Sequence, residues 1–438
     1  MLIVRLGIYV MDKTKIERDS FIYNTAGGML NAFQSVFILM AISRVLTPDD
    51  AGVFTLAYSV ANLMLMIGKY GMRNFQVTDT LQKYSYRKYY ISRIVTTVAM
   101  VAAGLIYVVY KRYTQPYTDE KALIIFLMCV MKAVDSVEDV YHGRYQQEGR
   151  LDIAGKCMTV HMLAIIVSYV LCICFGGSVL FATALTTGVS VIVTFITIRF
   201  ADSRIGNAGI NDMGAENDDT THTLFMLLKD CFPLFFATFI GFYQINAPKY
   251  SIDSFMTGAD QANFGYISMP VFFAGLVCQF LYLPVLNAMA VQYQKEEVKL
   301  LKKAVRKQSV LIFGAVLLIM IGAGILGIPF LSILYSTDLS GLKTEFYVLM
   351  LGSGALAYGN FLMSVLTIFR KQKTIMIGYL ITTLAEIIAM NKAVKIYGIL
   401  GGSVVFSLTA ALLMVYLFMA MLVIFSKYEH EIKDRGKQ

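Results

Sequence analysis

Lys132, Asp135, Asp139, His142 and Gln146 follow one another at intervals of three or four residues. That spacing puts them on one face of a helix, with Glu138 flanking the stripe. The run around them is apolar, and Lys132 lies roughly 16 Å from its start at 1.5 Å per residue. A lysine and three acids at such depth cannot face hydrocarbon. Two chemistries fit. One is a ladder of ion pairs between helices. The other is the wall of a hydrophilic cavity, with protonatable groups that couple an ion to movement. The stripe is net acidic, so alone it is a poor anion site.

Other polar residues are placed with the same periodicity. Asn24, Gly27, Gly28, Asn31, Gln34 and Ser35 share one side of the first apolar run. They fit either close helix packing through small residues or a cavity wall. Arg44 falls on the opposite side of an ideal helix and is a cavity cation only if the helix bends or ends before it. Otherwise it reaches the interface along its own stem. In the second run Ser59, Asn62, Met66, Lys69 and Arg73 form a stripe. The Lys69 and Arg73 pair, four residues apart, suits either a phosphate or ordinary headgroup anchoring. Asn246, Lys249 and Asp253 surround Pro248, where a helix kinks or ends. Glu386 stands alone in an apolar run and needs a partner or a proton.

Enzyme chemistry is not evident. HExxH, CxxC, GxGxxG and GxxxxGK[ST] patterns are absent, as is a Ser/His/Asp arrangement. The six cysteines fall in apolar runs and read as small core residues. His161, His222 and His430 look isolated. No metal site and no cofactor are expected, with coupling to H+ or Na+ left open.

The elements that must position these residues are membrane helices. Of 438 residues 57% are hydrophobic and 15% charged, with mean hydropathy +0.63, against roughly 25% charge in a soluble protein. Runs of about 20 apolar residues follow one another, the length that spans a bilayer. About twelve can be counted. Their length and continuity favour helices over barrel strands. The first 20 residues lack the long apolar core and cleavage site of a signal peptide. The net charge of +9 fits the positive-inside bias better than nucleic acid. Most Lys and Arg residues fall in alternate connections and at both ends, which puts both termini in the cytoplasm.

One turn organises the rest. Ile42 to Phe54 reads ISRVLTPDDAGVF. Pro48 disfavours helix at Thr47, and Asp49 or Asp50 can cap the helix that follows. Two long helices therefore meet in a tight hairpin with Arg44 at its corner. The polar segment 201–223 divides the spans six and six. The halves look alike. Arg44 precedes Asp50-Ala51-Gly52-Val53-Phe54, and Lys249 precedes Asp260-Gln261-Ala262-Asn263-Phe264. Arg44 and Lys249 are expected to be equivalent outer-half cations, and internal repeats with a site between them build many transporters.

Four stretches carry a family resemblance: Ser43 to Phe54, Tyr70-Gly71-Met72-Arg73-Asn74-Phe75, Ala247-Pro248-Lys249-Tyr250 with Asp253 and Phe264-Gly265-Tyr266, and Lys395-Ile396-Tyr397-Gly398-Ile399-Leu400-Gly401-Gly402. On these the chain resembles the Wzx-type polysaccharide flippases of the multidrug/oligosaccharidyl-lipid/polysaccharide exporter superfamily. The resemblance implies an all-α integral membrane protein of about twelve transmembrane helices, in two six-helix lobes around a central cleft, MATE-like. The expected divisions are a cytoplasmic lead-in 1–20, a lobe 21–200, a cytoplasmic linker 201–223, a second lobe 224–426 and a tail 427–438.

The implied function is a flippase in the bacterial cytoplasmic membrane. It would move undecaprenyl-diphosphate-linked oligosaccharide to the outer leaflet by alternating access, alongside other polysaccharide-assembly proteins. Substrate contacts are expected at Arg44, Lys249, Lys69, Arg73, Asn31, Gln34 and Asn246. Lys132, Asp135, Asp139 and Glu386 are expected in coupling or in the cleft. The cleft candidates include as many acids as bases, which departs from a simple pyrophosphate site. A multidrug or organic-cation antiporter is the first rival, since Asp135, Asp139 and Glu386 would suit a cation. A membrane glycan polymerase or ligase is the second, but the outer connections are too short for a catalytic domain.

Overall fold

The computed structural model describes residues 2–79, 83–205 and 220–435. Among them every regular element is helical: α1 (Leu2–Val45), α2 (Pro48–Lys69), α3 (Met72–Thr78), α4 (Tyr86–Thr114), α5 (Asp119–Gln147), α6 (Leu151–Cys174), α7 (Val179–Ile205), α8 (Thr220–Phe255), α9 (Gly258–Gln294), α10 (Val298–Gly322), α11 (Ile328–Tyr335), α12 (Lys343–Ile368) and α13 (Gln372–Arg435). Among the described residues, ten helical stretches are long and apolar enough to cross a membrane. The protein is a multi-pass membrane protein. One of the ten makes up most of α13, which is two segments broken at Gly398 (φ 59°, ψ −138°). With that division, and with the charge-rich α5 included, the count is twelve. Most of the expected linker, 206–219, lies outside the described residues.

The chain divides into two compact units, Met1–Phe239 and Ile240–Gln438. In the first, α5 is the central helix and packs on α2, α3, α4, α6 and α7. Alongside, α1 packs on α6. A Cβ at Gly27 would come within 2.7 Å of Met158, and one at Gly155 within 2.7 Å of the Asn24 backbone. Small residues therefore bring these two backbones together. Asn24 donates across the contact to the Leu151 carbonyl at 2.9 Å. In the second unit α12 packs on α9, α10 and α13.

The two expected hairpins close with the same device. Thr47 Oγ1 accepts from the Asp50 backbone at 3.3 Å, and Asp50 Oδ2 accepts from the Thr47 backbone at 3.1 Å. Thr257 and Asp260 repeat this at 3.2 and 3.1 Å. Both are capping boxes, each satisfying two orphan donors at a helix start.

These landmarks set the register of the repeat and correct one expectation. Arg44 lies three residues before its capping threonine, and Lys249 lies eight before its own. The difference of five residues is about 7.5 Å along a helix. The two cations are therefore not equivalent. Nor does α8 end at Pro248; it continues to Phe255. Pro270 and Pro284 likewise lie inside α9.

Candidate functional site

The charges of α5 are answered one level at a time. Lys132, only 1% exposed, donates to Asp135 Oδ2 at 2.8 Å and to Gln34 Oε1 of α1 at 2.9 Å. Its ammonium lies 5.3 Å from the Tyr58 ring centre, and Tyr58 also donates to Gln34 at 3.3 Å. This level is electrically closed.

One turn further, Glu138 sits between two imidazoles. His161 Nδ1 of α6 is 2.6 Å from Oε2, and His142 Nε2 is 3.3 Å from Oε1. The other ring nitrogen of His161 is 2.8 Å from Ser190 Oγ on α7. His161 is thus not isolated, as its place in the sequence suggests. It is fully buried and joins three helices.

At the third level the sign of the charge changes. Asp139 Oδ2 accepts from Arg93 NH2 of α4 at 2.8 Å, and Arg73 NH1 stands 3.5 Å from Oδ1. Lys69 is a third cation near this carboxylate. It is half-buried and has no hydrogen-bond or ion-pair partner among the described residues. Arg73 donates to Gln146 Oε1 at 3.2 Å. Three cations surround one acid, where the acidic stripe alone led us to expect a poor anion site.

Arg93 is the residue that sequence reasoning missed. No motif or stripe singles it out, yet it is fully buried. The last turn of α2 leaves carbonyls without helical partners, and Arg93 NH1 and Thr96 Oγ1 donate to that of Gly68 at 2.7 and 2.8 Å. The guanidinium therefore finishes one helix and neutralises another. An acid without an obvious local counter-ion in α5 was the available signal.

Lys69 and Arg73 do not share one helical face, contrary to the periodicity. Tyr70 (φ 49°) and Gly71 (φ 64°) are both left-handed, so α2 stops and α3 starts afresh. A Cβ at Gly71 would also come within 2.9 Å of Leu234, so only glycine fits. Tyr70 is held by its N–H donating to the Met66 carbonyl and by stacking on Phe235, ring centres 4.3 Å apart.

The remaining candidates fall elsewhere. Asn31 and Arg44 are exposed. In the second unit Lys249 is buried within α8 and donates to Asn246 Oδ1 at 3.2 Å. Glu386 is fully buried; Thr409 Oγ1 donates to its Oε1 at 3.5 Å, and no cation lies against it among the described residues. Of the six cysteines, all free, Cys174 is exposed rather than in the core. No group of three or more metal-ligating side chains occurs among the described residues.

No family model matches the sequence, and no curated protein does. Solved structures do match over almost the whole chain. An inward-facing multidrug resistance MATE family transporter of the MOP superfamily is 11% identical, with a TM-score of 0.70, and 94% of this chain covers 99% of that one. The chain has the fold of the MATE transporters. The Vibrio cholerae MATE transporter VcmN is similar at 12% identity and a TM-score of 0.62, over 96% of this chain and 98% of that one. A MOP superfamily transporter from Pyrococcus furiosus, described as having a binding pocket of reverse polarity, shows 13% identity and a TM-score of 0.60, over 95% and 96%. At such identities the likeness shows the fold alone. The cation cluster of α2, α3 and α4 has to be interpreted from its own chemistry.

Proposed function

We propose that the protein is a transporter that moves a lipid-linked oligosaccharide, carried on undecaprenyl diphosphate, from the cytoplasmic to the outer leaflet of a bacterial membrane. The movement would be alternating access, and both termini would be cytoplasmic. One observation carries the reading: Arg73 and Arg93 both pair with the single carboxylate of Asp139, and the Lys69 charge acts on the same group. The surplus of two positive charges matches a diphosphate. Arginine offers a planar fork for phosphate oxygens and lysine a mobile point charge. The cluster lies at the end of α5 that the Lys and Arg bias assigns to the cytoplasm, where such a cargo is made.

The rival reading, an organic-cation antiporter, needs an acid free to meet the cation. Asp135 and Asp139 are both ion-paired. Glu386 is the acid that keeps this reading open.

Proteoliposomes loaded with diphosphate-linked oligosaccharide separate the two. Arg73→Gln and Lys69→Gln should each lower the rate of lipid translocation at least tenfold, with the protein still folded. Unchanged translocation in both variants would remove the cation cluster from the reading, and no translocation by the native protein together with Glu386-dependent export of an organic cation would establish the rival.

A further inference from the structure

Apart from the ladder, α5 has one face the rest of the protein leaves open. From residue 128 to residue 145 every position of α5 is buried except Val130, Val134, Val137 and Tyr141. Their spacing of four, three and four residues is a straight stripe along the helix. On α7, Val191, Phe195 and Arg199 run beside it, with Val191 51% and Phe195 60% exposed. Between the two stripes is a groove of about 530 Å³. From Val130 to Tyr141 it is about 16 Å long, roughly the depth of one leaflet.

The groove has a polarity. Its deep part is lined by valines, Ala133 and Phe195, and its other end by Tyr141, Arg199 and Asp202. Asp202 is already engaged, by Arg144 at 3.5 Å and by the Tyr145 hydroxyl at 3.2 Å. Arg199 is exposed, and its guanidinium stands over the Phe195 ring at 5.2 Å without an ion pair among the described residues. A cation at the mouth of a leaflet-deep apolar groove is complementary to a phosphate whose hydrocarbon chain runs inward.

We infer that the α5–α7 groove docks the single hydrocarbon chain of a polyprenyl phosphate lipid, with Arg199 on the phosphate. The groove is lined by the stripes of α5 and α7, with Thr97 of α4 beside them. It accepts one chain, whereas a glycerophospholipid would leave its second chain outside. The inference rests on the proposed cargo class but not on its translocation. The site is separate from the cluster at Asp139, and its phosphate contact is Arg199 rather than Lys69 or Arg73.

The test uses the full chain in nanodiscs and two probes, polyprenyl phosphate without sugar and phosphatidylglycerol, each carrying a photoreactive group in its chain. Polyprenyl phosphate should label residues of the α5–α7 stripe, read by peptide mass spectrometry. Labelling should fall at least fivefold in Ala133→Phe, which narrows the groove, and in Arg199→Gln, which removes the charge at its mouth and leaves its apolar part unchanged. Equal labelling by phosphatidylglycerol would assign the groove to bulk lipid and overturn the inference. Labelling unaffected by Arg199→Gln would do the same for the phosphate contact. Because neither probe has to be translocated, failure of the groove and failure of the transport reading give different results.

Discussion

Arg93 NH2 donates to Asp139 Oδ2 at 2.8 Å with both side chains removed from solvent, so the guanidinium depends on that carboxylate, while Asp139 keeps Arg73 at 3.5 Å when Arg93 is gone. Asp139→Asn should destabilise the purified protein steeply, by the order of 3–5 kcal/mol that a stranded buried charge costs. Adding Arg93→Gln should recover part of that loss. Midpoints of both single variants and the double variant form a cycle, and simple additivity would show that the pair is not coupled.

Lys132 and Asp135 should behave similarly but more mildly. Lys132 keeps Gln34 and the Tyr58 ring when Asp135 is gone. Asp135→Asn is therefore expected to cost less than Lys132→Met, which strands the acid. Denaturation midpoints in the same detergent give the order, and the reverse order would mean that Gln34 and Tyr58 contribute little.

The two capping boxes make a paired prediction. Thr47→Ala and Thr257→Ala each remove one reciprocal pair at a helix start and should each cost about 1 kcal/mol. Serine at either position should restore most of it. Thermal unfolding of the four single variants checks this, and a loss confined to one box would show that the hairpins are held by different forces.

Gly398 has φ 59° and ψ −138°, a region where side chains are strained by roughly 1–3 kcal/mol. Gly398→Ala should reduce stability by that order. Gly188→Ala, in α7 with nothing near its Cβ position, should be neutral or slightly favourable. Equal effects in both would show that the break at Gly398 carries no backbone strain of its own.

What the sequence discloses, and what it hides, follows from how far apart the interacting residues lie. The Thr47–Asp50 hairpin is legible because proline, threonine and aspartate act on their own neighbours. The helix count is legible because hydrocarbon imposes one length on every span. Arg93 is not, since its depth depends on where α4 begins, and Asp139 answers it from 46 residues away. His161 meets Glu138 across 23 residues and so looks isolated. The break after Lys69 is hidden by Tyr70, which local preference would not place in the left-handed region. The supposed equivalence of Arg44 and Lys249 came from counting along similar residues, and the capping boxes supply the ruler that displaces it.

Lys69 ends α2 on one side of the Tyr70–Gly71 joint, and Arg73 lies in the first turn of α3 on the other. Arg93 belongs to neither arm. The three cations are therefore set like a caliper with one fixed jaw, one jaw on a pivot of two residues, and a reference pin between them. On the proposed reading, the angle held at Tyr70–Gly71 would set the span between Lys69 and Arg73, and with it the size of the anion that the cluster accepts.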